Sequence, residues 1–130
     1  MLGHGVDELL LIHCVRQFAE LRTLLKPGEP VVLWGISRDS AEDSKTFNER
    51  VSRDGKGGIT FPLLSDPDHK VIDAYGLQDP RYSKLRQEGI PSPTTIVIDR
   101  QGRIAWMRID RDHTKRPPNA EIRAALEKLR

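Results

Sequence analysis

The stretch GIPSPTTIVIDRQGRIAWM, residues 89–107, constrains the chain more tightly than any other. Thr94 to Ile98 is a β-branched run, the composition of a buried strand. Asp99-Arg100-Gln101-Gly102 follows as a tight turn, with Gly102 free to take a positive φ. Arg103 to Ile109 then sets apolar Ile104, Trp106 (or Met107) and Ile109 among charged neighbours, the pattern of a half-buried strand. The two strands form a predicted hairpin. Ser92-Pro93-Thr94 stands directly before it, and a proline that cannot donate to a ladder marks a strand edge or a special bond.

Upstream, Asp7 to His13 contains Leu9-Leu10-Leu11-Ile12, which fits a short buried strand or the first turns of a helix; periodicity does not separate the two. From Cys14 the pattern is clearer, because Val15, Phe18, Leu21 and Leu25 share one face with Arg16, Gln17, Glu20 and Arg22 outside it. That is an amphipathic helix, stopped by Lys26-Pro27-Gly28. Pro30 to Ser37 reads as a strand apolar on both faces, hence central and parallel. Ser40 and Asp43 resemble a capping box opening a helix to about Arg53, with Phe47 and Val51 inward. Ile59 to Leu64 is a short strand broken at Pro62.

Asp66-Pro67 predicts a cap followed by proline at the first helical position, with Val71, Ile72 and Tyr75 buried and Gly76 ending the helix. Gln78 to Glu88 is a polar loop with a helical turn. After the hairpin and a charged loop from Asp110 to Pro118, Asn119 caps a last helix with Ile122, Leu126 and Leu129 inward. This order predicts an α/β fold with a mixed sheet, parallel first and antiparallel at one edge, and helices on both faces.

Composition narrows the function classes. One domain is expected of 130 residues, and 31% charged with 37% hydrophobic residues fits a globular chain. The net charge of +2 is spread along the sequence with no basic, aromatic-laced stripe, which argues against nucleic acid as a partner. The longest apolar run, Leu9 to Ile12, is far too short to span a bilayer, and no secretory signal pattern opens the chain. A single cysteine, Cys14, permits no internal disulfide, so a reducing compartment, most simply the cytoplasm, is expected. His4, His13, His69 and His113 have no metal-ligand spacing, so neither a metal nor another cofactor is expected. Asp39, Asp66 and Asp99 sit where turn chemistry explains them, and Trp34 and Trp106 read as core or edge packing.

A cysteine opening the first helix and a proline directly before the hairpin resemble the thioredoxin superfamily. Within it, VVLWGISRDSAEDSKTF, FPLLSDPDHKVIDAYGL and PTTIVIDRQGRIAW resemble the peroxiredoxin-like family of alkyl hydroperoxide reductases and thiol-specific antioxidant (AhpC/TSA) proteins. The resemblance implies a thioredoxin-like three-layer fold over residues 14–130, behind a shortened N-terminal segment, residues 1–13. It implies that Cys14 attacks a peroxide or a disulfide, where free N–H groups and the helix dipole favour the thiolate. Pro93, through the superfamily's cis bond, and Thr94 would shape the facing wall, with His13 and Arg16 tuning the thiol. With no second cysteine, the sulfenic acid needs an external thiol, such as glutathione or a thioredoxin-like protein.

The sequence departs from the family at three places. Leu11 stands where relatives have threonine, serine or a second cysteine, Asp7 where they have proline, and Pro93 where a peroxide-holding arginine is usual. Relatives also carry strands and a helix before the cysteine, so either the start of the protein is missing or the fold is trimmed, with an exposed sheet edge to be covered, for instance by a paired or swapped dimer. Two readings stay open: a thiol oxidoreductase, or a non-catalytic redoxin domain kept as a binding or scaffold module. Thiol–disulfide exchange with a protein partner is a third.

Overall fold

The computed structural model describes residues 16–53, 58–83, 89–112 and 115–129. The expectations for Asp7 to His13, and for Cys14 and Val15 at the helix start, lie outside these residues. The described chain begins in a helix, α1, at residues 16–21. The order then runs β1 (Gly35–Ser37), α2 (Ala41–Ser52), β2 (Leu63–Ser65), α3 (Lys70–Ala74), α4 (Pro80–Ser83), β3 (Thr94–Ile98), β4 (Ile104–Ile109) and α5 (Asn119–Glu127). It is a mixed α/β fold with small central sheet elements and flanking helices, consistent with a thioredoxin-like arrangement. β1 and β2 pair in parallel, with Gly35 opposite Leu63 and Ser37 opposite Ser65, and β3 and β4 form an antiparallel hairpin.

The hairpin forms for the reasons its residues give. Gly102 has φ 79°, and the Asp99 carboxylate accepts from the Gln101 and Arg103 amides at 2.9 Å each, closing the turn. A bulge decides between Trp106 and Met107. Val97 faces Trp106 but Ile98 faces Ile104, so Ala105 is the extra residue. Trp106 therefore packs against the core, while Ile104 and Met107 share the outer face and are about half exposed.

Two apolar clusters hold the helices. Leu24, Val97, Ile122 and Ala125 are buried together, with Leu21, Leu25, Leu33, Trp106 and Leu126 against them. Phe47 and Val51 of α2 form the second cluster with Phe18, Ala19, Ile59 and Leu63. Phe18 lies edge-on to Phe47, with ring centroids 5.3 Å apart, and stacks on Phe61 at 5.7 Å. Gly35 is what lets Phe18 in: a Cβ there would sit 2.9 Å from the ring and 2.8 Å from Leu63.

Several sequence expectations need correction. The strand foreseen over Pro30 to Ser37 is regular only at Gly35–Ser37, and Val32 and Trp34 point outward, 74% and 59% exposed, so this segment is not apolar-buried on both faces. β2 starts at Leu63, just past Pro62, rather than at Ile59, because proline cannot donate to the ladder. The α1 helix ends at residue 21, earlier than expected, and Leu24 in the following turn is the buried residue that the helical spacing missed.

Pro67 does not open α3, which begins at Lys70 after a turn in which the His69 amide donates to the Asp66 carbonyl. Asp66 still serves the helix start, its carboxylate accepting from the Ile72 amide at 2.9 Å. Only Ile72 is buried; Val71 and Tyr75 are nearly half exposed. Gly76, at φ 66°, ends the helix as expected. Asn119 is not the N-cap of α5, a place taken by Pro118; its side-chain amide instead donates to the Glu20 carbonyl at 2.8 Å, tying α5 to the end of α1. Leu129 is exposed.

Ser40 does cap α2, its hydroxyl accepting from the Asp43 amide at 3.1 Å. Val51, on the inner face of that helix, is fully buried. Val51→Ala is expected to cost about 2 kcal/mol of stability, read as a lower urea midpoint with an unchanged slope.

Candidate functional site

Of the residues singled out from the sequence, Arg16, Pro93 and Thr94 are described; Cys14 and His13 lie outside the described residues. Arg16 is exposed at the start of the described part of α1. Among the described residues, no hydrogen bond joins it to Pro93 or Thr94.

Pro93 ends a segment that is fixed on all sides. Leu77 to Asp79 and Ile90 to Ser92 run antiparallel: the Asp79 amide donates to the Ile90 carbonyl and the Ser92 amide to the Leu77 carbonyl, both at 2.8 Å. Ile90 and Ser92 are each 2% exposed. The Pro93 carbonyl accepts from the Asp110 amide at 2.8 Å, which extends the hairpin ladder by one bond. The Ser92–Pro93 peptide is trans, as is every other peptide bond among the described residues. The cis bond expected here from the family resemblance is therefore corrected. The trans form is the intrinsically favoured one, and the partners of Ser92, Pro93 and Thr94 are all satisfied with it.

Thr94 begins β3 with its hydroxyl donating to the Ser92 carbonyl at 2.8 Å. A hydroxyl has one proton to give, so the Thr94 oxygen offers its surroundings only acceptor lone pairs. A thiolate is stabilised by donors and positive charge. Thr94 is thus poorly equipped to stabilise a thiolate.

Three polar groups around this segment were not legible in the sequence. His69 takes a left-handed conformation, φ 46°, and its Nδ1 lies 2.6 Å from an Asp73 carboxylate oxygen. Gln78 donates to the other oxygen of the same carboxylate. This bond and the His69 contact hold the Asp73 carboxyl below its ordinary value of 3.8. Asp79 is buried, and its carboxylate takes a fork of bonds from the Arg81 guanidinium, including Nε at 3.0 and 3.2 Å. That hydrogen bonding and charge hold Asp79 below 3.8 as well. Asp110 bonds Arg108 through Oδ1, while its buried Oδ2 has no hydrogen-bond partner among the described residues. Only the Asp-Pro-Asp-His order at residues 66–69 hints at such a network, and turn propensity alone accounts for that order.

Comparison with known proteins places this geometry in a family. The AhpC/TSA family profile matches residues 12–107, and the chain belongs to that family, the peroxiredoxin-like branch of the thioredoxin superfamily. It is 44% identical over 97 residues to two Mycobacterium tuberculosis proteins, "Putative peroxiredoxin MT2597" of strain CDC 1551 and "Putative peroxiredoxin Rv2521" of strain H37Rv. Each match covers 70% of this chain and 55% of the relative. "Putative peroxiredoxin bcp" of Coxiella burnetii is 33% identical over 85 residues, covering 63% of this chain and 52% of that protein. The chain spans about half the length of the curated relatives it matches. Family membership implies a redox-related role. Among the described residues, no helix is long and apolar enough to cross a membrane.

The depressed carboxyl of Asp79 has a testable sign. A folded value below the unfolded one adds stability above the unfolded value and withdraws it as pH falls through the folded one. Asp79→Asn is expected to be less stable than the parent near neutral pH, with the gap closing below about pH 4. Urea midpoints measured from pH 7 to pH 3 check this; a gap that stays constant across that range would contradict it.

Proposed function

We propose that this chain is a thiol-dependent oxidoreductase that reduces peroxides through Cys14, in a reducing compartment such as the cytoplasm. The observation that carries the reading is the family match over residues 12–107, which contains the chain's single cysteine. In the proposed step the Cys14 thiolate attacks one peroxide oxygen. An S–O bond forms, the O–O bond breaks, and the leaving alkoxide or hydroxide takes a proton from water. The sulfur is oxidised by two electrons to a sulfenic acid and the peroxide is reduced to an alcohol or water. An external thiol then condenses with the sulfenic acid, releasing water, and a second thiol frees Cys14 as the outside disulfide forms. Pro93 and Thr94 act as wall, and Arg16 and His13 as nearby tuning groups.

Mixing reduced protein with hydrogen peroxide and a sulfenic-acid probe tests the nucleophile directly. Labelling at Cys14 well above the rate of free cysteine is expected, and its absence in Cys14→Ser. A rate no faster than free cysteine defeats the peroxidase reading. Because the Thr94 proton is already engaged, Thr94→Val is expected to change that rate by no more than about threefold; a loss of a hundredfold would make Thr94 a working donor.

A second reading rests on Leu11 and Pro93, which replace the usual threonine and arginine of the family: a redoxin domain retained as a binding module. It predicts that Cys14 is slow toward iodoacetamide. Trapping a mixed disulfide on Cys14 with a protein partner would instead favour thiol–disulfide exchange.

A further inference from the structure

The segment before the hairpin is held from one side by backbone hydrogen bonds and from the other by a single side chain. Gly89 has φ 87°, and a Cβ built on it would lie 2.8 Å from His69 Cδ2 and 2.9 Å from His69 Cβ and Cγ. The imidazole therefore lies directly against the Gly89 backbone. Its own freedom is small: Asp73 sits 2.6 Å from Nδ1, and Gln78 Nε2 reaches the same nitrogen at 3.2 Å. The backbone beneath it is also fixed, since the His69 amide donates to Asp66 and the His69 carbonyl accepts from Asp73. His69 is also the one non-glycine residue among those described with a positive φ. Such a conformation is uncommon outside glycine and has an energetic cost.

We propose that His69 is a positioning residue: its imidazole, locked by Asp73 and Gln78, is the surface against which Gly89 rests, and it sets where the Gly89 to Pro93 wall lies. The chain of contacts is short. From Gly89 the backbone passes through Ile90 and Ser92, each paired to the Leu77 to Asp79 segment, to the Pro93 carbonyl and the Asp110 amide. Displacing Gly89 displaces that whole segment, because Ile90 and Ser92 are buried and have no room to absorb the change. The consequence for chemistry rests on the thiol reading above, in which this wall orients the peroxide at Cys14. Misplacing an orienting group by about 1 Å can cost up to about a hundredfold in rate. A small alkylating agent that needs only an accessible thiolate is much less affected.

The test is a double-mutant cycle on the full chain, using Gly89→Ala, His69→Gly and the pair. Glycine adopts the left-handed backbone of His69 without strain, so His69→Gly removes the ring, Cβ and Cγ that face Gly89 while keeping the turn. Hydrogen peroxide and iodoacetamide rates at Cys14 are measured for each, with urea midpoints to confirm folding. Gly89→Ala is expected to slow the peroxide reaction about tenfold alone and less than about threefold in the His69→Gly background, where the new methyl takes space that the His69 side chain leaves. Iodoacetamide rates should stay within about threefold throughout. An equal effect of Gly89→Ala in both backgrounds, or peroxide and iodoacetamide rates falling together, overturns the proposal. If Gly89→Ala does not fold, His69→Gly alone must lower the peroxide rate and spare the iodoacetamide rate, or the proposal fails. A wild-type thiol no faster than free cysteine defeats the peroxidase reading and leaves this one testable by amide chemical shifts. His69→Gly must then move the Asp110 amide, whose hydrogen bond ends on Pro93; changes confined to residues 66–78 overturn it.

Discussion

The contact between the Phe18 ring and the Cα of Gly35 is the one on which the rest of the arrangement depends. No other residue type at position 35 leaves room for the ring, since even a methyl group would meet Phe18 and Leu63 at under 3 Å. With the ring seated there, its edge meets Phe47 of α2 and its face meets Phe61 before β2. One aromatic side chain thus gathers α1, β1, α2 and the approach to β2. Burying such a ring is worth a few kcal/mol, several times what a surface ion pair contributes. The helix that follows Cys14 in sequence is therefore placed by packing, and the charged residues on its outer side have little say in it.

The far end of α1 is tied to α5 by links of different physical kinds. Leu24 is buried with Val97, Ile122 and Ala125, which supplies the energy. Asn119 reaches the Glu20 carbonyl, and Arg123 pairs at 2.6 Å with Glu29, whose side chain is only 7% exposed. A pair buried to this extent contributes little net stability because both charges lose their hydration. What it does supply is selectivity, since this docking angle of α5 is the one that brings Arg123 to the buried Glu29 carboxylate. The apolar cluster holds the helix down and the polar links fix its register.

This division also explains what was legible in the sequence. The hairpin, the Ser40 cap and the Gly76 stop are local events in which residues two to four apart decide the outcome, so reading the residues recovered them. The misses over which side chains are buried came from longer range. Leu24 is buried although it falls outside the helix, because α5 and β3 close over it. Val71 and Tyr75 lie on the face that helical spacing marks as inner, yet only Ile72 finds a partner layer on so short a helix. Trp34 follows the strand alternation outward, a matter of which face is covered and not of composition. The choice between Trp106 and Met107 turned on a single bulged residue, Ala105, which neither propensity nor periodicity marks.

Around Pro93 the same distinction bears on chemistry. Its position before β3 was readable, because a residue without an N–H can stand only at the margin of a ladder. The isomer of its peptide bond was not, since that depends on partners from Leu77 and Asp110, which stand fifteen or more residues away. With the bond trans, the Pro93 carbonyl is spent on Asp110 and the Thr94 proton on Ser92. The segment therefore presents shape and acceptor lone pairs, with no donor aimed outward by either side chain. A thiolate gains nothing from acceptors. Under the proposed function the segment could then act on the reaction only through where it stands, and the placement that Gly89, His69 and the Leu77 to Asp79 segment impose would matter more to reactivity than the identity of the side chains it displays.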